Sequence, residues 1–240
     1  MKNQSPDAPG NAITMTNSQV ANDPTGTPCF VLYNNPLTTD PLITGGQLRV
    51  IPPGYSHSTR INYDPTTGYP EGNANMLTYD LLIDQDNCLL TFNYAMVLES
   101  PGHQGFCNPF FKIDIVELSY LGNNEIGLVD QCATFYALGQ QNPIPNGFQQ
   151  QGVYIWQNWR QISMNLADYA GRKVRIKVSL ASCCYSVHIA YGYFVGKVAP
   201  RELEVDPCPG LDTIAAILSA PPGFAKYEWF EKPGGADNIA

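Results

Sequence analysis

Apolar–polar alternation over long segments constrains this chain more than any other feature of its sequence. Val174–Leu180 alternates without a break, with Arg175 and Lys177 on its polar face, and Pro109–Leu118 repeats the pattern. A period of two residues indicates β-strands that turn one face towards a core. No helical period is sustained, and Leu166–Ala170 is the best candidate for even a single helical turn. The pattern therefore predicts an all-β fold.

Turn-forming residues separate the apolar segments along the whole chain. The 240 residues include 21 Gly and 20 Pro, while 14 Tyr and 10 Phe supply aromatic strand residues. Many turns between short aromatic strands are typical of an antiparallel sandwich or barrel. We expect Pro143–Gln151 to be a long loop. The other predicted strands are Ala12–Thr16, Cys29–Tyr33, Gln47–Ile51, Ser58–Tyr63, Met76–Ile83, Leu89–Leu98, Ala133–Leu138, Val153–Leu166 and Val187–Val198.

Charge and apolar patterning argue against nucleic acid binding and against a membrane-spanning helix. The net charge is −8, and only 14% of residues are charged, against about 25% in an average globular protein. Phosphate binding needs a basic surface, so nucleic acid is not an expected partner. No apolar run reaches the about 18 residues of a membrane-spanning helix, and Met1–Pro6 lacks the apolar stretch of a secretory signal. We therefore expect a fragment of an extracellular or cell-surface protein, with its signal removed or upstream.

Seven cysteines are a high count for a reducing compartment and favour disulfides. None forms a CxxC pair, and no Cys/His spacing matches a zinc site. Cys107 and Cys132 flank one predicted hairpin, and either Cys183 or Cys184 could reach Cys132 at one end of a sandwich. Adjacent residues of an extended chain point in opposite directions, so Cys183 and Cys184 should have different partners. The sequence leaves the pairing open.

Glu99, His103 and His188 form the sharpest candidate site. The first two close the predicted strand Leu89–Leu98, and His188 opens the last strand, which could lie beside it. A carboxylate and two imidazoles could bind a transition metal or hydrogen-bond a sugar. The alternative is a turn in which each histidine bonds to nearby backbone.

Aromatic side chains that could stack on sugar rings are a further kind of candidate. The alternative is core and loop packing, in a chain with 11% aromatic residues. Gln149–Gln151 offers amides to a ligand, or is simply a polar loop. The aromatic candidates are Tyr136, Tyr154 and Trp156 in strands, and Tyr55, Tyr63 and Tyr69 in the long loop region.

Catalytic motifs are absent from the sequence, which contains no GxSxG, HExxH or P-loop. Asp114 and Glu117 fall on opposite faces of one strand and so do not form the carboxylate pair of a glycosidase. Carboxylates from separate strands can still converge. We expect a protein that is not an enzyme.

A family resemblance is carried by the segment from Trp159 to Phe194. It reads WRQISMNLADYAGRKVRIKV from Trp159 to Val178, followed by Cys183-Cys184, His188 and Tyr-Gly-Tyr-Phe. This order resembles the C-terminal half of jelly-roll modules in large secreted adhesin-type surface proteins of gliding Gram-negative bacteria. The resemblance covers roughly residues 12–200 and extends, more distantly, to carbohydrate-binding modules and MAM-type adhesion domains. It implies an antiparallel jelly-roll β-sandwich.

The same segment carries three expectations about packing. Trp159 should be a large buried plate between the two sheets. Leu166 and Tyr169 should cover one end of the sandwich, and Gly171 should allow a tight or positive-φ turn into the next strand.

The residues from Asp206 onward differ in character. Pro207–Gly210 is a linker-like break, and Thr213–Ser219 and Lys226–Phe230 are predicted strands that cannot bury a core alone. The tail resembles the start of an immunoglobulin-like repeat, whose first cysteine usually pairs with one near the end of the repeat. We therefore divide the chain into a jelly-roll module at residues 1–205 and an incomplete Ig-like segment at residues 206–240, with the partner of Cys208 outside the chain.

A structural Ca²⁺ is also implied by the resemblance, held by acidic and backbone oxygens near the first and last strands. The chain departs from the family at Val195, where an acidic residue would follow the Tyr-Gly-Tyr-Phe run. Asp84–Asn87 carries a carboxylate pair but lacks the Gly and distal Glu of an EF-hand loop, which favours a solvated turn.

These observations predict a non-catalytic extracellular binding or adhesion module within a multidomain secreted protein. The expected partner is a carbohydrate or a surface protein, besides neighbouring domains of the same polypeptide. One alternative is a structural spacer domain, and another is an accessory or catalytic domain of a polysaccharide-degrading enzyme.

Overall fold

The computed structural model describes residues 2–4, 12–14, 30–62, 74–100, 108–119, 124–130, 133–139, 143–183, 188–199, 204–207 and 216–219. Two large antiparallel sheets enclose the core, so the predicted all-β sandwich is confirmed. None of the helical turns in these residues is long and apolar enough to span a membrane. The strands are β1 (Lys2–Gln4), β2 (Ala12–Thr14), β3 (Phe30–Tyr33), β4 (Ser58–Asn62), β5 (Ala74–Leu82), β6 (Leu89–Glu99), β7 (Phe110–Leu118), β8 (Glu125–Leu128), β9 (Thr134–Leu138), β10 (Gln149–Gln151), β11 (Tyr154–Asn165), β12 (Lys173–Ala181), β13 (Ala190–Ala199), β14 (Glu204–Pro207) and β15 (Ala216–Ser219).

Strand order identifies the sandwich as a jelly roll. The six-stranded sheet has the order β10-β11-β6-β13-β4-β3. The five-stranded sheet has the order β5-β12-β7, and both β8 and β9 pair with the outer edge of β7. Chain order along β4–β7, β9 and β11–β13 passes between the sheets as in the eight-stranded double Greek key of jelly rolls.

The core between the sheets follows the predicted alternation. Every second residue of β6 from Leu90 to Leu98 is buried there. Phe111, Ile113 and Ile115 of β7 face them, and Val174–Leu180 contributes its apolar positions from β12. Burial of these side chains is the main stabilising contribution to the sandwich, at roughly 1.5–3 kcal/mol for each large apolar side chain.

A second apolar layer lies on the outer face of the six-stranded sheet. The segment of residues 34–57, here called the strap, lies across that face and buries Leu48, Val50 and Ile51 against it. The sequence predicted a strand over Gln47–Ile51, and this prediction is wrong: an isolated bridge between Thr39 and Arg49 is all the β-pairing described there. The apolar residues of the strap are buried by packing on a sheet face, not by joining a sheet.

Polar side chains attach the strap to the sheet. Gln151 of β10 accepts from the backbone N–H of Thr44 at 3.0 Å and donates to the carbonyl of Leu42 at 2.7 Å. The indole N–H of Trp159 donates to the carbonyl of Arg49 at 2.7 Å. The sequence predicted a loop over Gln149–Gln151, whereas the structure has the edge strand β10 there. The side chain of Gln151 holds the strap against this strand.

Trp159 does not lie between the sheets as predicted. It is half-buried and packs with the apolar layer beneath the strap. The other expectations for this region are confirmed: Leu166 is buried, Tyr169 donates its hydroxyl to the carbonyl of Val129 at the end of the sandwich, and Gly171 has a φ of 81°.

Outside the sandwich sheets, β14 and β15 pair only with each other. The predicted strand Thr213–Ser219 is thus present as β15, while Lys226–Phe230 lies outside the described residues. The division into a jelly-roll module and an Ig-like segment stays a prediction.

Gly192 is a position of close approach in the core. A Cβ there would lie 2.9 Å from the carbonyl oxygen of Ala95 and 3.1 Å from Cε2 of Phe111. We expect Gly192→Ala to lower the free energy of unfolding by about 1–3 kcal/mol, because neither the β6 backbone nor the packed ring can move freely. Urea unfolding measures the change.

Gly127 in β8 provides the matched control, since a Cβ there would meet nothing within 4 Å. Gly127→Ala should leave stability unchanged or raise it by up to about 1 kcal/mol through the lower entropy of the unfolded chain. Equal effects of the two substitutions would show that Gly192 is not a close-contact position.

Candidate functional site

Glu99 is hydrogen-bonded to Ile189, the residue that follows His188. Its backbone N–H donates to the carbonyl of Ile189 at 2.9 Å, and its carboxylate accepts the N–H of Ile189 at 3.1 Å. His103, the third member of the predicted site, lies outside the described residues. The structure thus brings Glu99 and the start of the last strand together, and a joint site of all three residues stays a prediction.

Tyr154 and Trp156 both lie on the outer face of the six-stranded sheet, in the layer that the strap covers. Trp156 is 2% exposed, and Tyr154 is partly buried. A sugar ring could reach the Trp156 indole only if the strap moved away. Ligand binding by this pair stays a prediction.

The disulfide predictions fall mostly beyond the described residues. Cys107, Cys132 and Cys184 lie there, and Cys183 is buried. Pairing among these four cysteines stays a prediction.

The described residues do not form a metal cage. Among them, no three His, Cys, Asp or Glu side chains converge to hold an ion. The carboxylate of Asp84 accepts the N–H of Asp86 at 2.8 Å, as in the solvated turn expected for Asp84–Asn87. Calcium binding by acidic and backbone oxygens, which the family resemblance implies, stays a prediction.

A cleft of about 240 Å³ lies where the two sheets meet at one side of the sandwich. One wall is the edge strand β9, and the other combines β11 with the loop before β10. Tyr136 on the β9 side is 54% exposed. The lining residues are Phe135, Tyr136, Ala137, Leu138, Pro145, Asn146, Phe148 and Gln157.

An irregularity in β11 aims two side chains towards this side of the sandwich. Gln157 is opposite Met96 and Arg160 is opposite Tyr94. Gln157 and Arg160 are three positions apart on β11, whereas Met96 and Tyr94 are two positions apart on β6. Met96 and Tyr94 both face the core. The bulge at residues 158–159 therefore places Gln157 and Arg160 on the same inner face, whereas a regular strand would put them on opposite faces.

The loop across the cleft closes in a type II-like turn. The N–H of Phe148 donates to the carbonyl of Pro145 at 3.1 Å, and Gly147 at the third position has a φ of 83°. A Cβ on Gly147 would lie 2.7 Å from Nη2 of Arg160 and 3.1 Å from Nε2 of Gln157. The positive φ favours glycine here, and two nitrogen donors lie close to it.

Gln157 has a buried oxygen without a hydrogen-bond partner among the described residues. Its side chain is only 5% exposed, and its Oε1 has no hydrogen-bond partner among the described residues. Leaving a buried polar group unpaired costs about 1–3 kcal/mol. A group that carries this cost beside an opening is placed to receive a donor from a ligand or from water.

Tyr94 is the residue through which the cleft adjoins the core. Tyr94, opposite Arg160, packs on Phe135 of the cleft wall with ring centroids 5.0 Å apart. Burial raises the pKa of Tyr94 to about 12, although the positive charge of Arg160 opposes the shift. The Tyr94 phenol therefore stays protonated at any physiological pH.

Sequence reasoning named Tyr136 but missed Gln157 and Arg160. No residue type signals a bulge within Tyr154–Asn165, so simple alternation puts Arg160 on the wrong face. Pro145–Phe148 does carry a turn signal, Pro-Asn-Gly, which locates the lip of the cleft but not its lining.

Comparison with solved structures finds a carbohydrate-binding module among the matches. No protein-family model and no curated protein matches the chain. A solved structure of the carbohydrate-binding module TmCBM61 in complex with beta-1,4-galactotriose matches 71% of this chain and 82% of its own, at 8% identity and a TM-score of 0.33.

Proposed function

We propose that the domain is a non-catalytic glycan-binding module and that the cleft between β9 and β11 is its sugar site. The observation that carries the proposal is the buried carbonyl of Gln157, which has no protein donor among the described residues and lines an open cleft. A sugar hydroxyl is a donor of the right size and polarity to satisfy it.

The apolar lining supports the same ligand class. Phe135, Tyr136 and Phe148 line the cleft, and aromatic rings pack well against the C–H face of a sugar. Pockets that enclose drug-sized ligands usually begin at about 300 Å³. A cleft of about 240 Å³ suits one sugar residue or the end of a chain.

The proposed setting is extracellular. We place the domain in a multidomain secreted protein, where binding glycans would attach the parent polypeptide to a surface. A structural spacer role and a polysaccharide-degrading role are the competing functions. A glycan array separates them: binding supports the module, uniform failure to bind supports the spacer, and release of reducing ends would support the enzyme. The array is run with Ca²⁺ and with a chelator, because the family resemblance implies a structural calcium ion.

Gln157→Leu separates a binding role from a structural one. We expect the variant to be as stable as the wild type or more so, because an apolar side chain removes the unpaired amide. We expect its affinity for the best array ligand to fall by about tenfold or more, equivalent to about 1.4 kcal/mol. Calorimetric titration and urea unfolding measure the two quantities.

Gln85→Leu is the matched control, since Gln85 is exposed in the turn between β5 and β6. It should bind as the wild type does. Tyr136→Ala should also weaken binding, while Ile126→Ala, on the exposed edge strand β8, should not. A Gln157→Leu variant that unfolds easily but binds normally would overturn the assignment of the cleft.

A further inference from the structure

The geometry points to a carboxylated sugar, such as a uronate residue, as the ligand of the cleft; this rests on the proposed glycan-binding function. The feature that leads to it is the guanidinium of Arg160. Its position opposite Tyr94, beside Gln157 and under Gly147, places it at the rim of the cleft.

Arg160 differs from the other arginines that the structure describes. Arg175 pairs with Asp80 at 2.6 Å, and Arg172 pairs with Glu117 at 3.3 Å. Arg49 donates to the carbonyl of Pro36, and the buried Arg60 donates to the hydroxyl of Tyr33. No acceptor or carboxylate within bonding distance of Arg160 is found in the described part of the chain.

The polar lining of the cleft is otherwise neutral. Gln157, Asn146 and the phenol of Tyr136 are its polar side chains, and no Asp or Glu is among its lining residues. A cation at the rim without a protein anion nearby creates a local positive potential that an anionic ligand would neutralise.

The donor geometry favours a carboxylate over a point anion. Nη2 of Arg160 and Nε2 of Gln157 lie close together beside Gly147, at 2.7 Å and 3.1 Å from the position that a Cβ on this glycine would occupy. A guanidinium binds a planar carboxylate through two parallel hydrogen bonds. In the inferred complex Arg160 holds the carboxylate, Gln157 receives a ring hydroxyl, and the aromatic wall packs against the sugar face.

The test compares each acidic sugar with its neutral form. Galacturonate, glucuronate and mannuronate oligosaccharides are titrated beside their methyl esters, which keep the ring and remove the charge. We expect the wild type to bind at least one acid about tenfold more tightly than its ester, with a preference that weakens as salt is added. Arg160→Gln should abolish that preference and still bind the ester.

Two variants sharpen the result. Arg160→Lys keeps the charge but loses the planar fork, so it should retain only part of the preference. Arg172→Gln, which removes an exposed arginine that has a carboxylate partner, should retain all of it.

Each outcome has a distinct meaning. Equal binding of acids and esters, or tighter Arg160-dependent binding of a sulfated oligosaccharide, would overturn the carboxylate inference and leave glycan binding intact. Failure to bind any sugar, charged or neutral, would overturn the proposed function itself. Acid preference in the wild type that disappears in Arg160→Gln alone supports the inference.

Discussion

Asp40→Ala should lower the free energy of unfolding by about 3–5 kcal/mol, although Asp40 lies in the strap and in no strand. Its carboxylate is 3% exposed and accepts the N–H groups of Leu42 and Ile43 at 2.8 and 2.9 Å. It also accepts the hydroxyls of Tyr191 and Tyr193, each at 2.9 Å. Alanine would remove the acceptor of three buried donors and of the partly buried Leu42 N–H, and each unpaired buried donor costs about 1–3 kcal/mol before water relieves part of it.

The two phenols are fixed donors in this network. Burial first, and then the negative charge of Asp40, raises the pKa of Tyr191 and Tyr193 well above the usual value of 10.0. Both hydroxyls therefore keep their protons and point them at the carboxylate. Burial without an acceptor would be unfavourable for either group, so the tyrosines and Asp40 depend on one another.

Urea unfolding followed by tryptophan fluorescence measures the effect, because Trp156 and Trp159 both lie in the layer under the strap. Asp40→Asn keeps one acceptor oxygen and should cost less than Asp40→Ala. Asp168→Ala removes an exposed carboxylate and should change stability by no more than about 0.5 kcal/mol. A loss below 1 kcal/mol in Asp40→Ala would show that the strap does not rely on this carboxylate, since even one unpaired donor costs about that much.

The strap also shows where sequence periodicity succeeds and fails. Alternation in β7 and β12 correctly assigned one face to the core, because the opposite face carries partly exposed charged residues such as Lys112 and Arg175. Ile189, Tyr191 and Tyr193 share one face of the last strand, and that face points away from the sandwich core. Periodicity indicates that one face of a segment is buried, but it does not indicate which part of the protein covers that face. Leu48, Val50 and Ile51 gave the same signal as a strand because packing across a sheet and pairing within one both bury apolar side chains.

The candidate site was less accessible to sequence reasoning than the fold. The exposed aromatic Tyr136 could be named as a platform from its residue type and strand position. Gln157 and Arg160 become a pair only through a bulge, which depends on backbone register between β11 and β6. The same bulge turns Trp159 towards the strap, against the expectation of a plate between the sheets. Register is a tertiary property, so residue types in β11 alone do not determine it.

Trp156→Ala should lower the free energy of unfolding by about 3–5 kcal/mol, as is usual when a large buried aromatic is truncated. The indole is 2% exposed and packs with Ile43, Leu48 and Val50 of the strap. Its removal would leave a cavity between strap and sheet that neither can close without breaking the contacts of Gln151 and Asp40. Thermal and urea unfolding measure the loss.

Trp156→Phe distinguishes packing from ligand binding at this position. Phenylalanine retains a ring, so we expect a stability loss of roughly 1–2 kcal/mol and a protein that is folded at room temperature. Trp156 points to the outer face while Gln157 points to the cleft, so glycan affinity of Trp156→Phe should equal that of the wild type. Lost affinity with little lost stability would mean that the strap opens to admit the sugar, and that Tyr154 and Trp156 form the platform in place of the cleft. Because Gln157→Leu has the opposite expected pattern, the two variants together decide which face of β11 binds the ligand.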